Sequence, residues 1–108
     1  MTYWAKQVAA CFLSLFLLSS HAEDGLFKVT LLGTGTPVPS ATRFGYSTLI
    51  EAGDQKMVFD FGRGLTIRLT QLKIPFGRID AHFLTHFHSD HLNGLPDLWL
   101  TGWLRPPY

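Results

Sequence analysis

Cysteine is almost absent. The single Cys11 excludes an intrachain disulfide framework and any zinc cluster built from thiolates. Neither sign of charge is in excess: nine Lys+Arg stand against eight Asp+Glu, so composition gives no strongly basic surface for nucleic acid and no acidic one. No apolar run reaches the ~20 residues that a bilayer-spanning helix needs. Internal repeats and low-complexity tracts are missing too. What is present is apolar and aromatic. Of 108 residues, 46% are hydrophobic and 16% charged, with nine Phe and three Trp, a composition that excludes intrinsic disorder and fits one domain or part of one.

The N-terminus reads as an export signal. Lys6 supplies the positive flank, and Val8 to Leu18 is an apolar run of 11 residues broken only by Ser14. That length suits the core of a secretory signal and is too short for a membrane span. Ser20-His21-Ala22 places small residues at the −3 and −1 positions of a cleavage site. The expectation is a signal peptide over residues 1–22 and a secreted or periplasmic product, an uncleaved anchor being the alternative. The apolar run follows Cys11 instead of preceding it, which argues against a lipidation box. Cys11 leaves with the signal. The remaining residues, 23–108, carry no net charge and form a chain small enough to bury only about 60–65% of its unfolded surface.

Beyond the signal, Phe27 to Leu32 alternates with a period near 2 and reads as a strand. Gly33 to Ser40 holds two Gly and two Pro and reads as a loop. Ser47–Glu51 and Lys56–Phe61 form a predicted hairpin around the turn Ala52–Gln55. Gly62-Arg63-Gly64 then releases the chain into a helix. Its apolar side is Leu65, Ile67, Leu69 and Leu72, with Arg68 and Lys73 outward, and Pro75 ends it. Asp80–Leu84 is predicted as a buried strand, Thr85–His91 as a polar loop, and a further helix starts around Pro96. Alternation of this kind indicates an α/β layered fold, in which a loop after a strand is the usual place for a ligand.

The chemistry concentrates in Thr85-His86-Phe87-His88-Ser89-Asp90-His91. His86 and His88 are two apart, so on extended backbone they face the same side and can share one ion. Asp90 and His91 fall where the chain turns, where they can serve a neighbouring ion. Imidazole and carboxylate suit Zn²⁺, and also Mn²⁺ or Fe²⁺, and the absence of thiolates suits a catalytic site more than a closed structural one. Two ions ~3.5–4 Å apart could activate a water, lowering its pKa from that of bulk water to about 7. His82 lies mid-strand outside the cluster and reads as structural.

With HxHxDH after a strand, the chain resembles the metallo-β-lactamase-fold hydrolases, an αββα fold. LLGTGTPVPS (Leu31–Ser40), MVFDFGRG (Met57–Gly64) and FLTHFHSDHLNGLPDL (Phe83–Leu98) are similar to the glycine loop, the Asp-x-Gly strand and the metal loop of the ribonuclease Z and arylsulfatase branch, in that order. The resemblance implies that His86 and His88 bind one metal and that Asp90 and His91 bind a second. It implies that Asp90 also takes or relays a proton. It places Asp60 behind the metal loop as a hydrogen-bonding support, while the residues alone allow an N-cap or turn role equally well. Gly33 and Gly35 are expected to let the first loop pass close to the site through positive φ. One departure stands out: an acidic residue commonly follows the Asp-x-Gly of ribonuclease Z, and here it is Arg63.

Two residues per metal do not complete a coordination sphere. Past His91 there is no further His, and the only later carboxylate is Asp97, a weak candidate for a bridging ligand. The expectation is therefore the N-terminal half of a longer hydrolase. A homodimer sharing ligands between chains is the other way to complete the site. Three functions follow as expectations. The first is an exported metal-dependent hydrolase acting on a phosphodiester, sulfate ester or related ester, with a small-molecule or other ester substrate expected ahead of nucleic acid. The second is a ribonuclease Z-type tRNA 3′-processing endonuclease. The third is a truncated, inactive fragment.

Overall fold

The computed structural model describes residues 27–104; the export-signal reading of residues 1–22 lies outside them. The elements run β1 (Phe27–Gly33), β2 (Ser47–Ala52), β3 (Gln55–Phe59), α1 (Leu65–Gln71), a 3-10 turn (Phe76–Arg78), β4 (Ala81–Phe83), a second 3-10 turn (Ser89–His91) and α2 (Leu95–Leu104). The four strands form one sheet in chain order. β1 and β2 pair antiparallel, with an irregularity between Leu31 and Gly33. β2 and β3 form the expected hairpin, closed by Ala52 opposite Gln55, and Gly53 between them takes a positive φ of 56°. β4 returns parallel to β3, with Val58 opposite His82. A parallel return needs a crossover, and α1 supplies it.

Period-2 alternation divides the sheet into two faces. Leu32, Leu49 and Val58 point to the helical side, where they meet Phe61, Leu65, Leu69, Ile79 and Leu98 to form the buried core. The opposite face carries Phe27, Val29, Leu31 and Phe83, all exposed, with Phe59 and Phe83 stacked at 4.7 Å between ring centroids. The described residues thus form one helical layer on one sheet, the α/β arrangement expected for one half of an αββα fold. No helix among them is long and apolar enough to cross a membrane.

Several sequence expectations need correction. β3 stops at Phe59, two residues early, because Asp60 adopts a left-handed φ of 62° and leaves the ladder. α1 ends at Gln71, and Lys73, at φ 57°, turns the chain before Pro75 is reached. Within α1 the buried residues are Leu65, Thr66 and Leu69, whereas Ile67, and Leu72 just past the helix, are exposed. The helix has fewer than two full turns, so only one narrow stripe meets the sheet. β4 is short and largely exposed, not buried. It is the last strand of the sheet and is held at its start by a reciprocal pair: Lys56 N–H donates to Asp80 Oδ2 at 2.7 Å and Asp80 N–H donates to the Lys56 carbonyl at 2.8 Å.

Candidate metal centre

The site is built first from backbone. Four loops meet through glycines. Gly35 N–H donates to the Phe44 carbonyl (2.6 Å), Gly45 N–H to that of Arg63 (3.0 Å), Gly62 N–H to that of Tyr46 (2.9 Å), and Gly94 N–H to that of Phe61 (2.7 Å). A Cβ on Gly62 would lie 2.5 Å from the Tyr46 nitrogen, and one on Gly94 would lie 2.5 Å from the Gly62 oxygen, so no larger residue fits. The glycine loop after β1 is explained by this close approach. Gly33 and Gly35 do not have positive φ, contrary to expectation; they let backbone pass against Phe44 and Gly45. Phe61 N–H also donates to the His91 carbonyl at 2.8 Å, which ties the end of the histidine loop to the residue after Asp60.

Asp60 sits under that loop, only 6% exposed. Its Oδ1 accepts from the Thr85 N–H at 2.8 Å, and the Thr85 hydroxyl lies 3.0 Å from Oδ1 and 2.8 Å from Oδ2. Oδ2 is 2.9 Å from His91 Nδ1, although the contact is too far off the N–H axis for a well-formed hydrogen bond. Asp60 N–H donates to the Phe83 carbonyl at 2.8 Å. Of the roles open to Asp60, the N-cap is excluded, because Gly64 occupies that position and no side chain caps α1, whereas the turn role holds alongside the contacts to Thr85, since the left-handed φ of Asp60 ends β3. Burial alone would raise the Asp60 carboxyl. The Thr85 N–H, the His91 ring and the Thr85 hydroxyl outweigh it and hold the group below its ordinary value.

The other expected residues gather above Asp60. The His86 and His88 rings lie 4.5 Å apart between centroids, and His86 and His91 lie 4.1 Å apart. His91 Nε2 is 3.6 Å from Asp90 Oδ2. His86 and His88 are exposed, while Asp90 and His91 are partly buried. Tyr46 stacks on His91 at 5.2 Å and 16°, a support that no spacing in the sequence signals. Among the described residues, no three His, Cys, Asp or Glu close into a metal-binding set, so the rings are gathered without sharing a focus.

The donor chemistry nevertheless fits a divalent cation. His91 Nε2 lies 3.6 Å from Asp90 Oδ2, so an imidazole nitrogen and a carboxylate oxygen, both ordinary donors to Zn²⁺, stand within reach of one ion. The His86 ring adds a second imidazole 4.1 Å from that of His91. Asp97 is not part of the cluster. It accepts from the Thr66 hydroxyl, and from that of Thr101 at 3.4 Å, and so joins α1 to α2. His82 also stays apart, stacked on Phe61 at 5.7 Å, with burial lowering its pKa.

Comparison with known proteins converges on one family. A family profile described as Anti-Pycsar protein Apyc1 matches residues 27–105. The chain is 47% identical over 79 residues to Ribonuclease Z of Mycobacterium sp. (strain KMS), covering 73% of this chain and 28% of that protein. It is 46% identical over 79 residues to Ribonuclease Z of Mycolicibacterium gilvum (strain PYR-GCK), with the same coverage of 73% and 28%. Human tRNase Z, short form, superposes with a TM-score of 0.67 at 38% identity, over 72% of this chain and 30% of that one. The metallo-beta-lactamase fold protein YhfI from Bacillus subtilis superposes at 0.66 with 27% identity, over 72% and 31%. The chain therefore spans less than a third of the length of these relatives. The matched span holds the glycine-pinned loops, Asp60 and the histidine loop, and the chain belongs to the metallo-β-lactamase-fold hydrolases, in the ribonuclease Z branch and the family described as Anti-Pycsar protein Apyc1.

Proposed function

We propose that this chain carries the metal-loop portion of a divalent-metal-dependent phosphodiester hydrolase, exported through its N-terminal signal. The observation that carries the reading is the gathering of His86, His88, Asp90 and His91 over one buried carboxylate, Asp60. His86 and His88 would hold one ion and Asp90 and His91 a second. Zn²⁺ suits the donors, and Mn²⁺ or Fe²⁺ would serve the same set. When bound, the ions supply Lewis acidity and lower the pKa of a water to near neutrality. The chain's own residues do the rest. Asp60 and Thr85 hold the loop in place, Tyr46 stacks on the His91 ring, and Asp90 would take or relay a proton. Among ester classes, phosphodiesters are favoured over sulfate esters by the ribonuclease Z and tRNase Z identities of the relatives.

The test is hydrolysis of bis(p-nitrophenyl) phosphate and p-nitrophenyl sulfate by the whole gene product, with metal content by mass spectrometry. Phosphodiester turnover that disappears in His88→Ala, together with bound metal, is expected. Near-normal rates in His88→Ala refute the assignment.

A second reading, tRNA 3′ processing, draws on the same relatives. Arg63 in place of an acidic residue and the export signal weigh against it. Site-specific cleavage of a precursor tRNA by a cytosolic product would establish it in place of the first. A purified 108-residue chain that neither binds a divalent ion nor turns over substrate supports the inactive-fragment reading of this chain alone.

A further inference from the structure

We propose that Thr85 is a positioning residue that selects which ring nitrogen of His86 is free, relaying the Asp60 carboxylate to that ring, while the same carboxylate lies directly beside His91. The proposal rests on the reading of these two histidines as metal ligands.

The inference follows from counting protons. An ionised carboxylate only accepts, and a hydroxyl has one proton to give. The Thr85 Oγ1 stands 2.8 and 3.0 Å from the two Asp60 oxygens, so its proton is committed there. Oγ1 is also 3.0 Å from His86 Nδ1 and can offer that atom only a lone pair. His86 Nδ1 must therefore carry the ring proton, which leaves Nε2 as the free donor atom. Asp60 Oδ2 also lies 2.9 Å from His91 Nδ1, off the axis of a well-formed hydrogen bond, so its charge favours the Nδ1–H form of that ring without fixing it.

Thr85 suits the task for two further reasons. Its backbone N–H donates to Asp60 Oδ1 at 2.8 Å, so the residue is held at two points. Its β-branched side chain is stiff at χ1, which keeps the hydroxyl between carboxylate and imidazole. Among the described residues no side-chain hydrogen bond holds His88, which makes it an internal control. If His86 and His91 belong to different ions, Thr85 acts on one position alone, whereas Asp60 acts on both.

The experiment uses the full chain, first without metal and at pH 8.5, above the usual imidazole range. Long-range ¹H–¹⁵N correlation spectra identify the protonated nitrogen of each ring, and zinc titration then measures affinity. In the parent chain His86 and His91 are both expected as Nδ1–H tautomers. Thr85→Val should move His86 alone toward the Nε2–H form and weaken one zinc-binding step about 10–100-fold, the usual cost of losing a ligand-orienting partner. Thr85→Ser, which keeps the hydroxyl, should restore both. Asp60→Asn should disturb His86 and His91 together. An unchanged His86 tautomer in Thr85→Val overturns the proposal, as does a Thr85→Ser variant that behaves like Val. A tautomer shift in a chain that binds no zinc would overturn the ligand reading while leaving the orienting role of Thr85 intact.

Discussion

Replacing Asp60 by Asn isolates the charge under the histidine loop. Asn tolerates left-handed backbone, so the φ of 62° at this position adds little strain. The amide can keep the Thr85 N–H on its oxygen, but its NH₂ then faces the Thr85 hydroxyl and His91 Nδ1, which contact the carboxylate at 2.8 and 2.9 Å. A hydrogen bond to a charged group contributes about 1.5–3 kcal/mol net, and a loss near 2 kcal/mol is expected at pH 7. Because the folded state holds the Asp60 carboxyl below its ordinary value, its contribution is present above the unfolded pKa of about 3.9 and fades as pH falls through the folded one. Urea denaturation of the metal-free chain should therefore show a gap of about 2 kcal/mol at neutral pH that narrows in acid, mainly through loss of stability by the parent. Asp60→Ala should cost roughly 1–2 kcal/mol more, because Ala resists the left-handed conformation. Equal stability of parent and Asn variant at pH 7, or a gap that does not change with pH, would refute the reasoning.

Three further outcomes test the framework. Leu69 has no exposed surface, and Leu69→Ala should destabilise by about 2–5 kcal/mol in the same denaturation assay. Gly62→Ala drives a Cβ to within 2.5 Å of the Tyr46 nitrogen; overpacking of this kind costs about 1–3 kcal/mol, and zinc affinity should fall with it because the loops carrying Tyr46 and Asp60 are forced apart. Stripping divalent ions with a chelator should lower the thermal midpoint, since saturation at about 100 times Kd contributes about 2.7 kcal/mol. A midpoint that chelation leaves unmoved would show that the folded chain binds no ion.

The sequence was most informative where the signal is local. HxHxDH is contiguous, so its residue types and spacing were legible, and the hairpin from Ser47 to Phe59 follows from alternation about a Gly-Asp turn. Errors arose where the answer depends on a distant partner. Ile67 and Leu72 share helical spacing with Leu65 and Leu69, yet α1 is too short to bury a wide stripe. The apolar look of Asp80–Leu84 suggested burial, but the strand lies at the sheet's edge. The two roles open to Asp60 could not be separated without knowing that Thr85 sits across from it, 25 residues on. Gly45, Gly62 and Gly94 carry no local signature, because their requirement is the absence of a Cβ where two backbones touch.

The position of the metal loop is thus decided upstream of it. A left-handed residue costs about 1–3 kcal/mol unless its surroundings compensate. Asp60 is one of the few side-chain-bearing types that enters that region readily, and it does so with both oxygens engaged. The turn that ends β3 also aims the carboxylate under Thr85 and His91, while the next residue, Phe61, accepts from Gly94 and donates to the His91 carbonyl. Backbone geometry at 60–62 and side-chain geometry at 85–91 are therefore one constraint. Gly could make the turn but could hold neither Thr85 nor His91. Larger apolar residues could do neither, and Asn would keep the turn while losing the charge. Only Asp satisfies the backbone, Thr85 and His91 at once, which is why the support for this site lies at the end of a strand and not within the histidine loop.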